Sequence, residues 1–390
     1  MRNPFLSNFR RSDTAFRVTS HLPKPVQDVI VDTYVDAARR RLDGRRFPDR
    51  LTVFLTDQCN LRCEHCFISK GQAKSWEMGI GEYERLFASL DGRVAQMLLT
   101  GGEPTIRQDF SDILMLADCV ARVGTVTIFT NGLLWPRLET ALKHVIKHGR
   151  MNVNIQTSID GLEEFHDRHR GQPGAFKKTM KMIKMASELR RRHPGRIARL
   201  IVTTSISKIN LGELRNIVKI TAGSGASPAF TFVRGSTDGV RNLEDLSLVS
   251  HFEPDDYEHY LTPAEMRQAI DIINDELWSK DPSNLQYAFN RTTLQAIARS
   301  LEQEIGQVSC RMGQADLVIL SGGDVARCEM LKTFAHLKDF DWDLGHLLQS
   351  SCYADFMRKT GQCWCTHDCG MGVSILYEPR LLRNLYHSAL

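Results

Sequence analysis

Three cysteines stand at Cys59-x3-Cys63-x2-Cys66, in the run Cys59-Asn-Leu-Arg-Cys63-Glu-His-Cys66-Phe67, directly after the apolar, β-branched stretch 51–56. Three thiolates at a strand exit can hold a four-iron cluster by three of its irons. The fourth iron, without a protein ligand, is then a place for chemistry. A structural zinc site is the competing reading, with His65 as a fourth ligand, but zinc modules usually pair such spacings with a second pair elsewhere. A disulfide framework is disfavoured, because the amino terminus Met1-Arg-Asn-Pro-Phe5 lacks the apolar core of a secretory signal.

Nine of the ten cysteines fall in two groups, 59–66 and 310–369. Clustered thiols in a chain of this kind point to metal. Cys119 lies apart in an apolar helical pattern and reads as a small buried thiol. In the second group, 317–320 and 325–328 read as two strands joined by the turn Gly322-Gly323-Asp324, which brings Cys328 back towards Cys310. Cys363-Trp-Cys365-Thr-His-Asp-Cys369 supplies further thiolates. Cys352, inside a helical pattern, reads as buried filler. Zinc stays open for this module on spacing alone.

These residues need elements to position them. Short β-branched runs at 51–56, 96–100, 125–130, 152–158, 199–204 and 229–233 alternate with helical patterns near 82–90, 110–122, 137–148, 175–192 and 210–222. Six β/α repeats imply a parallel sheet curled into a partial (β/α)6, TIM-like barrel, with chemistry at the carboxyl ends of its strands. Those ends carry Cys59–Cys66, Gly101-Gly102-Glu103-Pro104, Thr130-Asn131-Gly132, Ser158-Ile-Asp160-Gly161 and Arg234-Gly235. Residues 1–24 read as an extended segment and 25–42 as a helix. Helices are expected from Thr262, in a capping box with Glu265, past Trp278, and again over 292–306. Acidic residues at Glu253, Asp255, Asp256 and Glu258 read as a solvated loop. The organisation expected is 1–49 as an amino-terminal extension and helix, 50–235 as the barrel, 236–309 as a helical connection and 310–390 as a small α+β module.

The composition, 42% hydrophobic and 25% charged over 390 residues, is that of a globular protein. A net charge of +4 is too small to argue for nucleic acid, and no apolar run is long enough for a membrane span. A cytoplasmic location is the corresponding expectation; oligomeric state is not legible.

The cysteine triad, Gly101-Gly102-Glu103-Pro104, Thr130-Asn131-Gly132 and Ser158-x-Asp160-Gly161 with His166-Asp167-x-x-Arg170-Gly171 together resemble the radical S-adenosylmethionine (SAM) superfamily. The spacing C-x12-G-x4-C from Cys310 to Cys328 is similar to the start of its SPASM and Twitch auxiliary-cluster modules. The resemblance implies a [4Fe–4S] cluster on Cys59, Cys63 and Cys66 with SAM on its open iron. It also implies SAM contacts from Phe67, Gly101, Gly102, Glu103 and Asn131, and a SAM carboxylate held by Ser158 and Arg170. His166 and Asp167 are read as ordering their loop and Arg168 as solvated. One auxiliary [4Fe–4S] cluster is implied, on Cys310, Cys328, Cys369 and Cys365, with Cys363 as rival to Cys365.

The function implied is reductive cleavage of SAM to a 5′-deoxyadenosyl radical that abstracts hydrogen, with an external flavodoxin- or ferredoxin-type electron donor. The auxiliary cluster would accept an electron, making the reaction an oxidation, or bind substrate. Arg234 is the one well-placed polar candidate for a catalytic role, and substrate anchoring is its alternative. With about 50 residues before the barrel, the expected substrate is a small molecule such as a sugar or natural-product intermediate. The alternatives are oxidative modification of a ribosomal peptide and, outside enzymology, an iron–sulfur redox relay.

Overall fold

The computed structural model describes residues 9–66, 76–233, 259–358 and 366–387, with side chains from 13 onward. Six strands, β1 (Arg50–Thr56), β2 (Gln96–Gly101), β3 (Thr125–Phe129), β4 (Asn152–Ser158), β5 (Ile197–Ile206) and β6 (Ser227–Phe232), pair in parallel in sequence order. Helices α3 (Ile80–Leu90), α4 (Phe110–Cys119), α5 (Trp135–His148), α6 (Glu163–His169), α7 (Ala175–Arg192), α8 (Lys208–Leu211) and α9 (Leu214–Gly223) make the crossovers. This is a partial, TIM-like α/β barrel.

Strand alternation divides its two faces. Val126, Ile128, Val153, Ile155, Leu200 and Val202 point to the helices and are buried with Leu86, Ile113, Leu142 and Ile183. Thr127, Asn154, Gln156, Ser158, Thr203 and Thr231 face the barrel interior. A period of two with one polar face is how a half-buried strand reads, here with the polar face turned inward.

The sheet does not end at β1. Strand β7 (Asp316–Ile319) pairs parallel to β1, in register Arg50↔Asp316, and β8 (Asp324–Ala326) and β9 (Thr333–His336) continue antiparallel. The hairpin expected from the Gly-Gly-Asp turn is present, and Gly323, with φ +89, makes that turn. Because β7 runs with β1, Cys310 before β7 and Cys328 after β8 both lie at the amino end of the barrel. The other cysteine group follows β1 at the carboxyl end.

Helices α10 (Pro263–Glu276) and α11 (Leu285–Gln303) cover the far edge, and α14 (Asp368–Ile375) packs on α11. The capping box Thr262/Glu265 is formed, with Thr262 N–H donating to Glu265 at 2.7 Å. Helix α10 stops before Trp278, and α11 begins at Leu285 rather than 292. Asn284 caps it, accepting from the Gln286 and Tyr287 amides. That N-cap lies outside the apolar periodicity from which the start was read.

The amino-terminal segment also differs from expectation. Residues Phe9–Thr19 form a helix, α1, not an extended chain. Its order comes from docking: Phe16 is fully buried and meets Tyr386 of α15 (Pro379–His387) edge to face at 4.9 Å. Helix α2 (Lys24–Asp43) packs on the same carboxy-terminal helix. One apolar cluster therefore joins Phe16, Val31, Phe230, Leu294, Met371 and Leu385 across α1, α2, β6, α11, α14 and α15.

Two thiols stand elsewhere than the sequence suggests. Cys119 and Cys352 are exposed. Each sits on its helix's solvent side, where apolar periodicity does not discriminate one turn position from the next. Among the described residues no helix is long and apolar enough to cross a membrane.

Candidate active site

The loop after β1 is built by what presses on it. A Cβ on Gly101 would lie 2.2 Å from the Thr56 carbonyl, and one on Gly102 would lie 2.1 Å from that of Gln58. Gly102 N–H donates to Thr56 O and Glu103 N–H to Gln58 O, both at 2.8 Å. The two glycines thus let the β2 exit lie against the cysteine loop itself, with Gly101 at φ +135. The sequence suggested approach to a ligand; the contact seen is backbone on backbone.

Glu103 is fully buried. Its carboxylate accepts from Thr105 N–H at 3.1 Å, Thr130 Oγ1 at 2.9 Å and Asn131 N–H at 2.7 Å. Burial raises its pKa against those bonds. The carboxylate locks the Thr130-Asn131 turn, and Asn131 Nδ2 in turn donates to Asn60 Oδ1 at 2.8 Å, with Cys59 Sγ at 3.9 Å.

From the other side, α6 and the turn after it clamp the loop. Arg62 N–H donates to Arg170 O and Glu64 N–H to His169 O, both at 3.1 Å. Gly171, at φ +64, allows Arg62 to approach. His65 and His169 stack with centroids 4.6 Å apart, and Glu64 reaches His169 at 3.0 Å. Arg170 is ion-paired with the fully buried Asp160, and its Nη1 lies 3.7 Å from Cys63 Sγ. Asp160 is held well below the usual carboxylate range: burial raises it, and the Arg170 charge overcomes that. His166 accepts the Asp160 amide at 3.2 Å, while Asp167 accepts from Phe176 N–H at 2.8 Å. Arg168 is exposed.

The three thiols are half-buried and close enough to act on one another. Burial, then the Glu103 charge and the neighbouring thiolates, push Cys59 up to about 11 against the Leu61 amide bond. A metal that replaces the proton relieves that state. Beside them, Arg170 Nε is buried without a hydrogen-bond partner among the described residues. Three half-buried thiols on one loop, within electrostatic reach of one another, and a cation with an unused donor fit an iron–sulfur cluster and an anionic ligand. Ser158 is the last residue of β4 and faces the interior. Phe67 and Arg234 lie outside the described residues, as do Cys363, Cys365 and the acidic group 253–258.

Below this loop the barrel encloses a chamber of about 590 Å³. Phe129 and Ser158 line its upper part; Arg50, Gln96, Thr125 and Asn152, the first residues of their strands, line its lower part, with Cys369. It therefore runs the length of β4, about 20 Å at some 3.3 Å per residue. Amides and hydroxyls stand among apolar side chains in the wall and brace each other. Gln96 and Asn154 both reach the Thr127 hydroxyl, at 3.1 and 3.2 Å, and Gln156 reaches Thr203 at 2.8 Å. Helix α11 closes the side with Gln286 and Asn290. Reading from sequence missed this wall, though Asn152-Val-Asn-Ile-Gln-Thr-Ser158 carried the signal in its alternation.

Residues 53–219 match the sequence profile of the radical SAM superfamily. The chain carries a radical SAM domain. It is 32% identical to the sporulation killing factor maturation protein SkfB of Bacillus subtilis over 191 residues, 49% of this chain and 43% of that one. It is 30% identical to a GTP 3′,8-cyclase of Petrotoga mobilis over 177 residues, 44% and 52% of the respective chains. The matched part of this chain thus spans about half the length of those relatives. In fold it is similar to Streptococcus suis SuiB bound to S-adenosylmethionine, with TM-score 0.58 at 15% identity over 83% of this chain and 70% of that one. It is also similar to anSMEcpe with bound AdoMet, with TM-score 0.56 at 16% identity over 80% and 82%. The family uses a [4Fe–4S] cluster and SAM, the groups that the Cys59 loop fits.

At the barrel's other end, Cys310, Cys328 and Cys369 are half-buried. Arg327 ties the first two together, donating from Nε to Met312 O at 2.8 Å and from Nη2 to Cys310 O at 3.5 Å. Cys310 and Cys328 pack against one apolar cluster.

Proposed function

We propose that this radical SAM protein modifies a peptide substrate held in the barrel chamber, between the cysteine loop and the carboxy-terminal thiols. The observation that carries this reading is the chamber itself: a long cavity that follows the barrel strands from Ser158 and Phe129 to Arg50 and Cys369, with amides and hydroxyls along its wall. Bound cluster and SAM supply a 5′-deoxyadenosyl radical that takes a hydrogen atom from carbon. The chain's own residues hold and orient. Cys59, Cys63 and Cys66 are assigned to the cluster; Ser158 and Arg170 to the SAM carboxylate, for which a guanidinium is suited; Asn131 and Glu103 to the turn beside it. The amide and hydroxyl wall binds substrate and keeps out bulk water.

The names of relatives favour a peptide over the small molecule expected from sequence. SkfB is named for maturation of a killing factor, and AlbA of B. subtilis, 28% identical over 188 residues, for biosynthesis of the bacteriocin subtilosin. The GTP 3′,8-cyclases keep a small-molecule reading as the second one. Cys310, Cys328 and Cys369, with Cys365 or Cys363, are assigned to one auxiliary cluster, which when bound would supply an electron acceptor for an oxidation. An external one-electron donor of flavodoxin or ferredoxin type completes the cycle.

The test uses the anaerobically reconstituted, reduced protein with SAM and two fractions from the encoding cell, peptides and small metabolites. A rise in 5′-deoxyadenosine with the peptide fraction, abolished by prior protease treatment, supports the proposal. A rise with the metabolite fraction alone overturns it in favour of the second reading.

A further inference from the structure

Helix α7 divides its residues between two faces. Thr179, Met182, Ile183, Ala186 and Leu189 are buried against the barrel. Lys178, Lys181 and Lys184 lie on the outer side and are exposed. With seven basic residues and one acidic, this single helix carries more positive charge than the whole chain, whose net charge is +4. Three nearby acids are already committed. Glu163 pairs with Lys177 at 2.7 Å, Glu188 pairs with Arg191 at 2.9 Å, and Asp167 accepts from Phe176 N–H at 2.8 Å. Lys178, Lys181 and Lys184 make no ion pair among the described residues. A positive stripe left uncompensated in this way attracts and steers an anionic partner.

The inner face of the same turn reaches the cysteine loop. Thr179, next to Lys178, donates from Oγ1 to Asn131 O at 2.9 Å, and Asn131 Nδ2 lies 3.9 Å from Cys59 Sγ. Gly132, at φ +79, lets helix and turn close, since a Cβ there would lie 3.3 Å from Thr179 Cα. A protein seated on the lysines is therefore about one helix diameter, roughly 10–12 Å, from the turn that touches Cys59. An iron–sulfur cluster held by four thiolates and a flavin mononucleotide are both anionic, which suits a row of ammonium groups.

We propose that the outer face of α7, with Lys178, Lys181 and Lys184, is the docking surface for an acidic one-electron carrier protein of flavodoxin or ferredoxin type, and that the electron enters the Cys59 loop there. In that step the carrier is oxidised by one electron, the group on Cys59, Cys63 and Cys66 is reduced by one, and no bond is made or broken. This rests on the reading that an external carrier serves that loop.

The experiment uses the full, anaerobically reconstituted chain and a variant with Lys178→Glu, Lys181→Glu and Lys184→Glu. A control makes the same charge change elsewhere, with Lys24→Glu, Lys280→Glu and Lys338→Glu. Cluster reduction is followed by stopped-flow absorbance with reduced flavodoxin, reduced plant-type ferredoxin or dithionite, at rising ionic strength. The expected result is reduction by a carrier that slows about tenfold or more at low salt in the α7 variant and loses its salt dependence. The control should keep the unsubstituted rate, and dithionite should reduce all three chains alike. Equal slowing in the control, or an unsubstituted rate indifferent to salt, overturns the docking surface. Because three charge reversals can disturb folding, a second measurement leaves the chain intact. A bound carrier should shield Lys178, Lys181 and Lys184 from acetylation more than other lysines, as read by mass spectrometry. Shielding by anionic lipid vesicles and by neither carrier overturns the proposal in favour of a membrane surface. No reduction by either carrier, where dithionite succeeds, overturns the reading of such a carrier as well.

Discussion

At the scale of single residues, the site depends on buried charges that would be intolerable alone. Asp160 and Arg170 neutralise each other beside Cys63. Replacing Asp160 by Ala leaves a buried guanidinium unpaired. A loss of about 3–5 kcal/mol in urea unfolding is the expected outcome, with lower iron retention on the Cys59 loop. His166 gives a pH signature. Burial, then the Arg170 charge, lowers it from 6.5 to about 4. The unfolded chain therefore binds a proton between those values that the folded one refuses. Stability is full above about 6.5 and falls as pH drops towards 4, by about 3 kcal/mol in all. In His166→Gln that acid loss should shrink, as read from denaturation midpoints between pH 7 and 4. Gly102→Ala places a Cβ on the Gln58 carbonyl; overpacking of this kind costs about 1–3 kcal/mol, and melting together with iron content checks it. The sequence exposed the cysteines, glycines and arginine of this site because their types are rare and their spacing is fixed. It did not expose what Glu103 and Asp160 do, since a carboxylate's partners are set by strands far apart in the chain.

At the scale of elements, the barrel is an open sheet whose far edge needs a partner. Asn290 of α11 supplies one: its Oδ1 accepts from Phe230 N–H at 2.9 Å and its Nδ2 donates to Phe230 O at 2.7 Å, while Gln286 donates to Pro228 O at 2.8 Å. An amide side chain thus stands in for a seventh strand, and β6 has no exposed ladder there to recruit another chain. Asn290→Leu removes both bonds and should cost about 2–3 kcal/mol, because buried backbone groups are left without partners. Amide exchange at Phe230 should accelerate relative to β5. The strands and most crossover helices were legible from periodicity, with boundaries a few residues off. Helix α1 and the early start of α11 were not, because docking of Phe16 and the cap at Asn284 decide them rather than an apolar stripe. Strand β9 was missed too: Thr333–His336 is short and lies at an edge.

At the scale of the whole molecule, the two cysteine groups lie at opposite ends of the barrel. The expectation of chemistry at the carboxyl mouth concerned the barrel's own strand exits, with the first group, and left the second group unplaced. The parallel pairing of β7 with β1 carries the second to the other end, and no local pattern announces a pairing between residues 50 and 316. Two independent sites predict separable loading. With Cys59, Cys63 and Cys66 all replaced by Ala, about four irons per chain should remain if the auxiliary site takes a [4Fe–4S] cluster. Iron and sulfide analysis decides that.

The same pairing sets a problem of timing on the ribosome. Arg50 and Asp316 are 266 residues apart. At roughly 5–20 residues per second, translation delivers β7 about 13–53 s after β1. Throughout that interval the nascent barrel carries β1 with one edge unclaimed, next to the loop whose thiols await iron. A ribosome stalled before codon 316 would hold a chain with six strands in place and a sticky border, and such chains should be the ones chaperones capture.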